Sequence, residues 1–371
     1  MKYLDLKKQY ETIKPEIDRV VADVLDNTSF IGGTYLELFA SKFKRTFQAP
    51  HFLPCANGTD ALFISLKVAD VGPGDEVITT ASSWISTSEV ISLAGAQPVF
   101  VDIDEFNTID ASKIEDRITE KTKAIIPVHL HGQMCDMDAI VALCDKYDLT
   151  LIEDCAQAHL SRFKGVLSGL LGDFGTFSFY PGKNLGAFGD AGGIVIKEEE
   201  DFEKAKMFAN HGMLDVRHVH HIEGMNSRMD AIQAAVLSVK VDHIEQWTKQ
   251  RIAIATKYTA LMTEAGLGEL CPRIRPESNH SFHVYSIRTE KRGALIEHLK
   301  LSGVPTSVHY PHALPTMPCY KYLKLNLADY ANSINHACEN VSLPIFPEMA
   351  DQDIERVVDV IASFYSACST T

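Results

Sequence analysis

Short apolar runs and longer amphipathic stretches alternate along most of this chain. From position 3 to 25, Leu4, Leu6, Tyr10, Ile13, Ile17, Val20 and Val24 fall at helical spacing and predict an amphipathic helix. A polar, glycine-ended loop follows from Asp26 to Gly33, and the spacing then predicts a helix from Tyr35 to Thr46. Strand-like patches at 51–55, 76–80, 97–104, 123–129, 151–154, 176–180 and 194–197 are separated by helical patterns, including one over KIEDRITEKT (113–122) and one from Cys135 to Tyr147. Strands alternating with helices predict an α/β domain with a largely parallel sheet. A helix at 202–210 and a long helical segment from Met229 to about Ala265 lead into a smaller α+β region. That region has a strand at 282–289, helices at 292–302 and 351–366, and a loose tail at 368–371. The pattern divides the chain into a large α/β domain (1–245, with the N-terminal helix) and a smaller C-terminal α+β domain (246–371).

Composition narrows the partners. The 371 residues carry a formal charge of −14, which argues against nucleic-acid binding because no basic stripe is present. No apolar run approaches a membrane span, and the charged N-terminus MKYLDLKKQYETIK has no secretory core. Eight scattered cysteines without a CxxC pair fit free thiols in the cytoplasm. His129 and His131 form an HxH pair without a third ligand at suitable spacing and read as packing and loop residues. His218, His220 and His221 lack cysteine or carboxylate companions, so no metal site is expected.

The chemistry concentrates between Leu151 and Gly193, LIEDCAQAHLSRFKGVLSGLLGDFGTFSFYPGKNLGAFGDAGG. Asp154 stands at a strand end, Gln157 lies three residues on, and Ser178 precedes Lys183 in a glycine-rich turn. Upstream, Asn57-Gly58-Thr59 follows a strand and opens a helix, where backbone N–H groups and the helix dipole favour a phosphate. A salt bridge is the plain reading of Asp154 with Lys183. A lysine amine, a carboxylate, hydroxyl donors and a phosphate turn together suit a pyridoxal phosphate site, in which lysine forms a Schiff base and aspartate keeps the ring nitrogen protonated. Trp84 is one of two tryptophans, either a core residue or an aromatic that stacks on a ring. Asn226-Ser227-Arg228 precedes a helix, which Asn226 could cap.

These motifs, with FIGGTYLELFASKF, CANGTDAL, GPGDEVIT, AGAQPVFVDID, NSRMDAIQAA and VHYP, resemble the DegT/DnrJ/EryC1/StrS sugar aminotransferases over nearly the whole chain. The resemblance implies fold type I pyridoxal-phosphate chemistry: a mostly parallel central sheet flanked by helices, plus a smaller α+β domain. It implies Lys183 as the catalytic lysine, Asp154 at the ring nitrogen, Trp84 on the ring face and Gln157 by the phenolic oxygen. Gly58, Thr59 and Ser178 would hold the phosphate, together with Asn226 from a partner subunit in a homodimer with shared sites. Thr28, Phe30, Arg228, His309 and Tyr310 become the substrate neighbours. L-glutamate becomes the amino donor, pyridoxamine phosphate the intermediate cofactor form, and a nucleotide-linked keto-sugar the acceptor.

Related dehydratases carry His where this chain has Lys183, so the resemblance implies transamination. Relatives acting on 3-keto-uronic acids have Tyr and Ser where Phe30 and Gly182 stand. The two missing hydroxyls favour a dTDP-linked 3-keto-6-deoxyhexose over a UDP-linked 3-keto-uronate, with a 4-keto-sugar as the near alternative. A non-catalytic regulator of the same fold and a lyase acting on amino acids are the readings from other classes.

Overall fold

The apolar runs assemble into one seven-stranded sheet in a computed structural model that describes residues 1–214 and 216–369. Helix α1 (Leu6–Asp26) buries Ile13, Ile17, Val20 and Val24, the stripe its spacing predicts. Helix α2 (Thr34–Phe47) buries Phe39, Phe43 and Phe47, one residue per turn on a single face. These rings pack against Phe52, Phe177 and Phe179. Full burial of each phenylalanine contributes about 1.5–3 kcal/mol.

The α/β series follows as β1 (His51–Cys55), α3 (Gly58–Val68), β2 (Glu76–Thr80), α4 (Ser86–Leu93), β3 (Gln97–Val101), β4 (Thr122–Ile126), α5 (Met137–Tyr147) and β5 (Thr150–Asp154). After the short strands β6 (Arg162–Phe163) and β7 (Val166–Leu167) come β8 (Phe174–Ser178), β9 (Gly192–Ile196) and α6 (Glu199–Ala209). The sheet order is β1-β9-β8-β5-β4-β2-β3. β9 pairs antiparallel with both neighbours, and the other pairings among β2, β3, β4, β5 and β8 are parallel. The carboxyl ends of β1, β2, β4, β5 and β8 therefore open on one edge, where ligands of α/β sheets bind.

Two segments depart from their helical expectation. The segment 113–122 is not a helix but two 3-10 turns, Ala111–Lys113 and Glu115–Arg117, between β3 and β4. Ile114 alone is fully buried, and Ile118 already has extended backbone (φ −76°, ψ 131°), so no apolar stripe forms. The long segment from Met229 is two helices, α7 (Ala231–Lys240) and α8 (Ile244–Glu264), separated by a turn at Val241–His243. α7 is buried on nearly every side, whereas α8 runs out to a second core.

That second core gathers Ile254, Tyr258 and Met262 of α8 with residues of β11 (Tyr285–Arg288), α9 (Arg292–Leu301), β12 (Asn340–Leu343) and α11 (Asp351–Ser369). β10 (Ser278–Asn279) pairs with β6, and β11 pairs with β12. α10 (Ala331–Glu339) and the segment before it turn back toward the large sheet, where Leu314, Tyr320 and Tyr330 cluster with Ala81 and Phe100. α11 includes Cys368 and Ser369, so the first half of the expected tail is helical, and positions 370 and 371 lie outside the described residues.

Candidate functional site

At the carboxyl edge of the sheet lies a cavity of about 810 Å³. Its lining includes Gly58, Thr59, Trp84, Asp154, Gln157, Ser178 and Lys183, brought together from four separate segments. Asp154 closes β5 at the cavity floor, almost fully buried. Thr87 of α4 donates its hydroxyl to Asp154 Oδ2 at 2.8 Å, and the Ala156 N–H donates to Oδ1 at 3.1 Å. Burial pushes the Asp154 carboxyl up from its ordinary value, and these two donors oppose the rise.

Lys183 follows β8 through a turn in which its N–H donates to the Tyr180 carbonyl at 2.8 Å. The side chain is half-buried and enters no ion pair among the described residues, so the salt bridge with Asp154 that the plain reading suggested does not form. Burial lowers its ammonium to about 8, partly offset by the Asp154 charge. Behind the turn, Lys240 of α7 donates to the Gly186 carbonyl at 2.7 Å and holds the glycine-rich loop in place.

The turn after β1 is shaped by close approach. Asn57 caps α3 by accepting from the Asp60 N–H, which leaves the first N–H groups of the helix facing the cavity. A Cβ on Gly58 would lie 2.7 Å from Ser178 Cβ, and one on Gly192 would lie 2.2 Å from the Asn57 carbonyl. Only glycine lets this turn lie against β8 and β9. Thr59 Oγ1 and Ser86 Oγ, 2.8 Å apart, and Ser178 add hydroxyls beside the helix terminus.

Trp84 is 58% exposed and faces the cavity, 5.6 Å from the Tyr310 ring, so the core reading of this residue is overturned. His309 and Tyr310 reach the same cavity from the C-terminal half, with Arg251 and His283, and Tyr3 reaches it from the N-terminal end. Sequence reasoning missed Tyr3, Thr87, Arg251 and His283, because no local motif marks a residue that only tertiary packing carries to the edge.

Four expected site residues are not brought into this cavity by the chain's own fold. Asn226 and Arg228 line a second cleft of about 510 Å³ with Ile31 and Asp230, and this cleft shares Asn57 and Asp190 with the first. Arg228 donates to Asn210 Oδ1 at 3.0 Å, and its Nε is buried without a partner among the described residues. Asn226 does not cap the following helix; it bridges to Asn210, and Asp230 precedes α7. The loop carrying Thr28 and Phe30 sits beside that cleft: the Phe30 carbonyl accepts from the Ala231 N–H, Ile31 bridges to Asp230, and the Phe30 side chain is exposed.

His129 does have close companions, Glu153 in β5 and Cys155 just beyond its end. His129, Glu153 and Cys155 lie together, wholly buried. His129 Nε2 donates to Glu153 at 2.9 Å, its Nδ1 accepts from the Cys135 N–H, and Glu153 also accepts from the N–H groups of Gly169, Leu171 and Gly172. The cluster is closed by its own hydrogen bonds and braces the end of β5.

An unpaired lysine, a buried carboxylate, an aromatic face and a helix N-terminus flanked by hydroxyls fit pyridoxal phosphate group by group. Comparison with known proteins agrees. A "Pleiotropic regulatory protein" of Geobacillus stearothermophilus is 45% identical over 366 residues, spanning 98% of each chain. A dTDP-3-amino-3,4,6-trideoxy-alpha-D-glucose transaminase of Streptomyces venezuelae is 37% identical over 361 residues, covering 97% of this chain and 94% of the relative. The crystal structure of S. venezuelae DesV in complex with a ketimine intermediate superposes with a TM-score of 0.94 at 36% identity, covering 98% of both chains. Residues 11–362 match the family described as DegT/DnrJ/EryC1/StrS aminotransferases. The chain belongs to the DegT/DnrJ/EryC1/StrS family of pyridoxal-phosphate-dependent aminotransferases.

Proposed function

We propose that this protein moves an amino group from L-glutamate to C3 of a dTDP-linked 3-keto-6-deoxyhexose, supplying deoxyamino sugars for surface polysaccharide such as O-antigen. The observation that carries the reading is the unpaired Lys183 amine sharing one cavity with Asp154 and the N-terminus of α3. The named activity of the S. venezuelae transaminase supports C3, and the loss of hydroxyls at Phe30 and Gly182 supports a sugar without a carboxylate.

Bound pyridoxal phosphate supplies an aldehyde that condenses with amines and a ring that withdraws electrons. Asp154, held by Thr87 and Ala156, would keep a proton on the ring nitrogen. Gly58, Thr59 and Ser178 would hold the phosphate, Trp84 would cover one ring face, and Gln157 would lie at the phenolic oxygen. Lys183 would tether the cofactor, then take the donor's α-proton and return it at the carbon that the cofactor's aldehyde contributes. Burial favours the neutral amine that this role requires. His309 and Tyr310 would meet the sugar. Asn226, Arg228, Thr28 and Phe30 would enter the cavity of a second copy, making the working unit a homodimer. The division into domains near residue 245 and a cytoplasmic location belong to the same proposal. Among the described residues no helix is long and apolar enough to cross a membrane.

An absorbance spectrum tests the reading. Protein loaded with pyridoxal phosphate should show a band near the visible edge that gives way to a shorter-wavelength band on adding L-glutamate, and the keto-sugar should restore the first. The name of the Geobacillus relative favours a second reading, a regulator without catalysis. A band that L-glutamate leaves unchanged would bring that reading forward.

A further inference from the structure

His131 sits where three segments of the cavity wall meet. It is 4% exposed, and its backbone is in the left-handed region (φ 61°, ψ −2°), uncommon for any residue but glycine. Its N–H donates to Gln157 Oε1 at 2.6 Å, its Nε2–H donates to the His309 carbonyl at 3.0 Å, and its own carbonyl accepts from Val284 at 3.3 Å. Gln157 and His309 line the cavity, as does Val284.

The polarity of this network is fixed from one end. A backbone N–H can only donate, so the atom of Gln157 that faces His131 must be the oxygen. The amide nitrogen then faces Tyr310, whose hydroxyl accepts from Gln157 Nε2 at 2.9 Å. Among the described residues the Tyr310 hydroxyl finds no acceptor for its own proton, and its ring lines the cavity. Asn340 holds the same loop by donating to the Tyr310 carbonyl and accepting from the His309 N–H, so the ring has little freedom to turn away.

We infer that His131 is a positioning residue that orients Gln157 and the His309–Tyr310 loop so that Tyr310 presents a hydrogen-bond donor to an acceptor oxygen of the bound sugar. The inference rests on the aminotransferase reading and deepens it by assigning this wall to an oxygen acceptor. Burial and the neighbouring His336 and His309 hold the His131 imidazole well below its ordinary pKa, so it is neutral, with its one ring proton spent on His309.

His131→Phe keeps a ring of similar size and deletes the ring donor; His131→Gln restores a donor. With dTDP-3-keto-6-deoxyhexose as acceptor, His131→Phe should raise its KM roughly three- to tenfold, the range for losing one neutral hydrogen bond. The glutamate half-reaction, followed by absorbance, should stay within about twofold, because the hydrogen bond in question is made to the sugar. His131→Gln should recover most of the loss. The double variant with Tyr310→Phe should be no worse than Tyr310→Phe alone, since both act through one contact. An unchanged KM in His131→Phe overturns the inference, as does equal loss of both half-reactions or an additive double variant. If His131→Phe does not fold, Tyr310→Phe decides: it deletes the hydroxyl that this network aims, so the KM for the keto-sugar should rise, and an unchanged KM overturns the inference. Failure of the wild-type protein to react with glutamate would instead defeat the aminotransferase reading itself.

Discussion

Lys183 shows at the residue scale how burial makes a nucleophile. A lysine held in water keeps its proton at neutral pH, and burial here lowers the ammonium to about 8. Only the neutral amine attacks an aldehyde. Uptake of pyridoxal phosphate by the apoprotein should therefore accelerate about tenfold per pH unit below pH 8 and level off above it, where an unperturbed lysine would keep accelerating toward pH 10. Stopped-flow absorbance across pH 6–10 checks the position of the bend. The group also reports on stability. Its folded pKa lies below the unfolded value, so the unfolded chain binds the extra proton between about 8 and 10.5, and this lysine's contribution to stability rises with pH through that window. Lys183→Ala should abolish the absorbance band while leaving the circular dichroism spectrum unchanged, and a variant turning over at the wild-type rate would defeat the mechanism. Asp154, Ser178 and Lys183 could be placed together from the sequence because each closes or follows a strand on the same sheet edge. Thr87 and His131 were not, because their roles lie in partners 67 and 26 positions away along the chain.

Among the elements, the turn from β1 into α3 couples fold to chemistry most directly. The tight packing of Gly58 on Ser178 sets hydroxyls from β8 and α4 beside the helix terminus, the group that the proposed function assigns to the cofactor phosphate. Gly58→Ala should lose about 1–3 kcal/mol of stability through overpacking. It should also weaken pyridoxal phosphate binding, because Ser178 must move; equilibrium denaturation and a fluorescence titration read the two effects separately. Periodicity located this helix, and most others, to within a few positions. It failed at 113–122 and at 241–243, both times because an apolar spacing of three or four persisted where tertiary packing turned the chain. Neither place carries a glycine or proline to signal the break. The termini of α1, α2 and α5 were legible because apolar stripes ended where polar or glycine-rich loops began.

At the scale of the whole molecule, the expected site residues divide between two clefts. One holds Lys183 and Asp154; the other holds Asn226 and Arg228, and they meet only at Asn57 and Asp190. Exposed Phe30, Ile31, Tyr180 and Phe188 supply apolar surface around this region for a second copy. In a symmetric dimer each cleft can serve the partner's cavity, and subunit mixing distinguishes this from action within one chain. On the proposed reading, Asn226→Asp would set a carboxylate against the cofactor phosphate and so weaken binding. Lys183→Ala removes the nucleophile. A mixed dimer of the two variants has one site with both lesions and one with neither if Asn226 acts across the interface. Random reassortment then makes half of the dimers mixed, and activity should recover to about a quarter of wild type. If Asn226 acts within its own chain, every site carries one lesion and mixing restores nothing. Activity at limiting pyridoxal phosphate after dissociation and reassembly of the subunits therefore decides which chain completes the site.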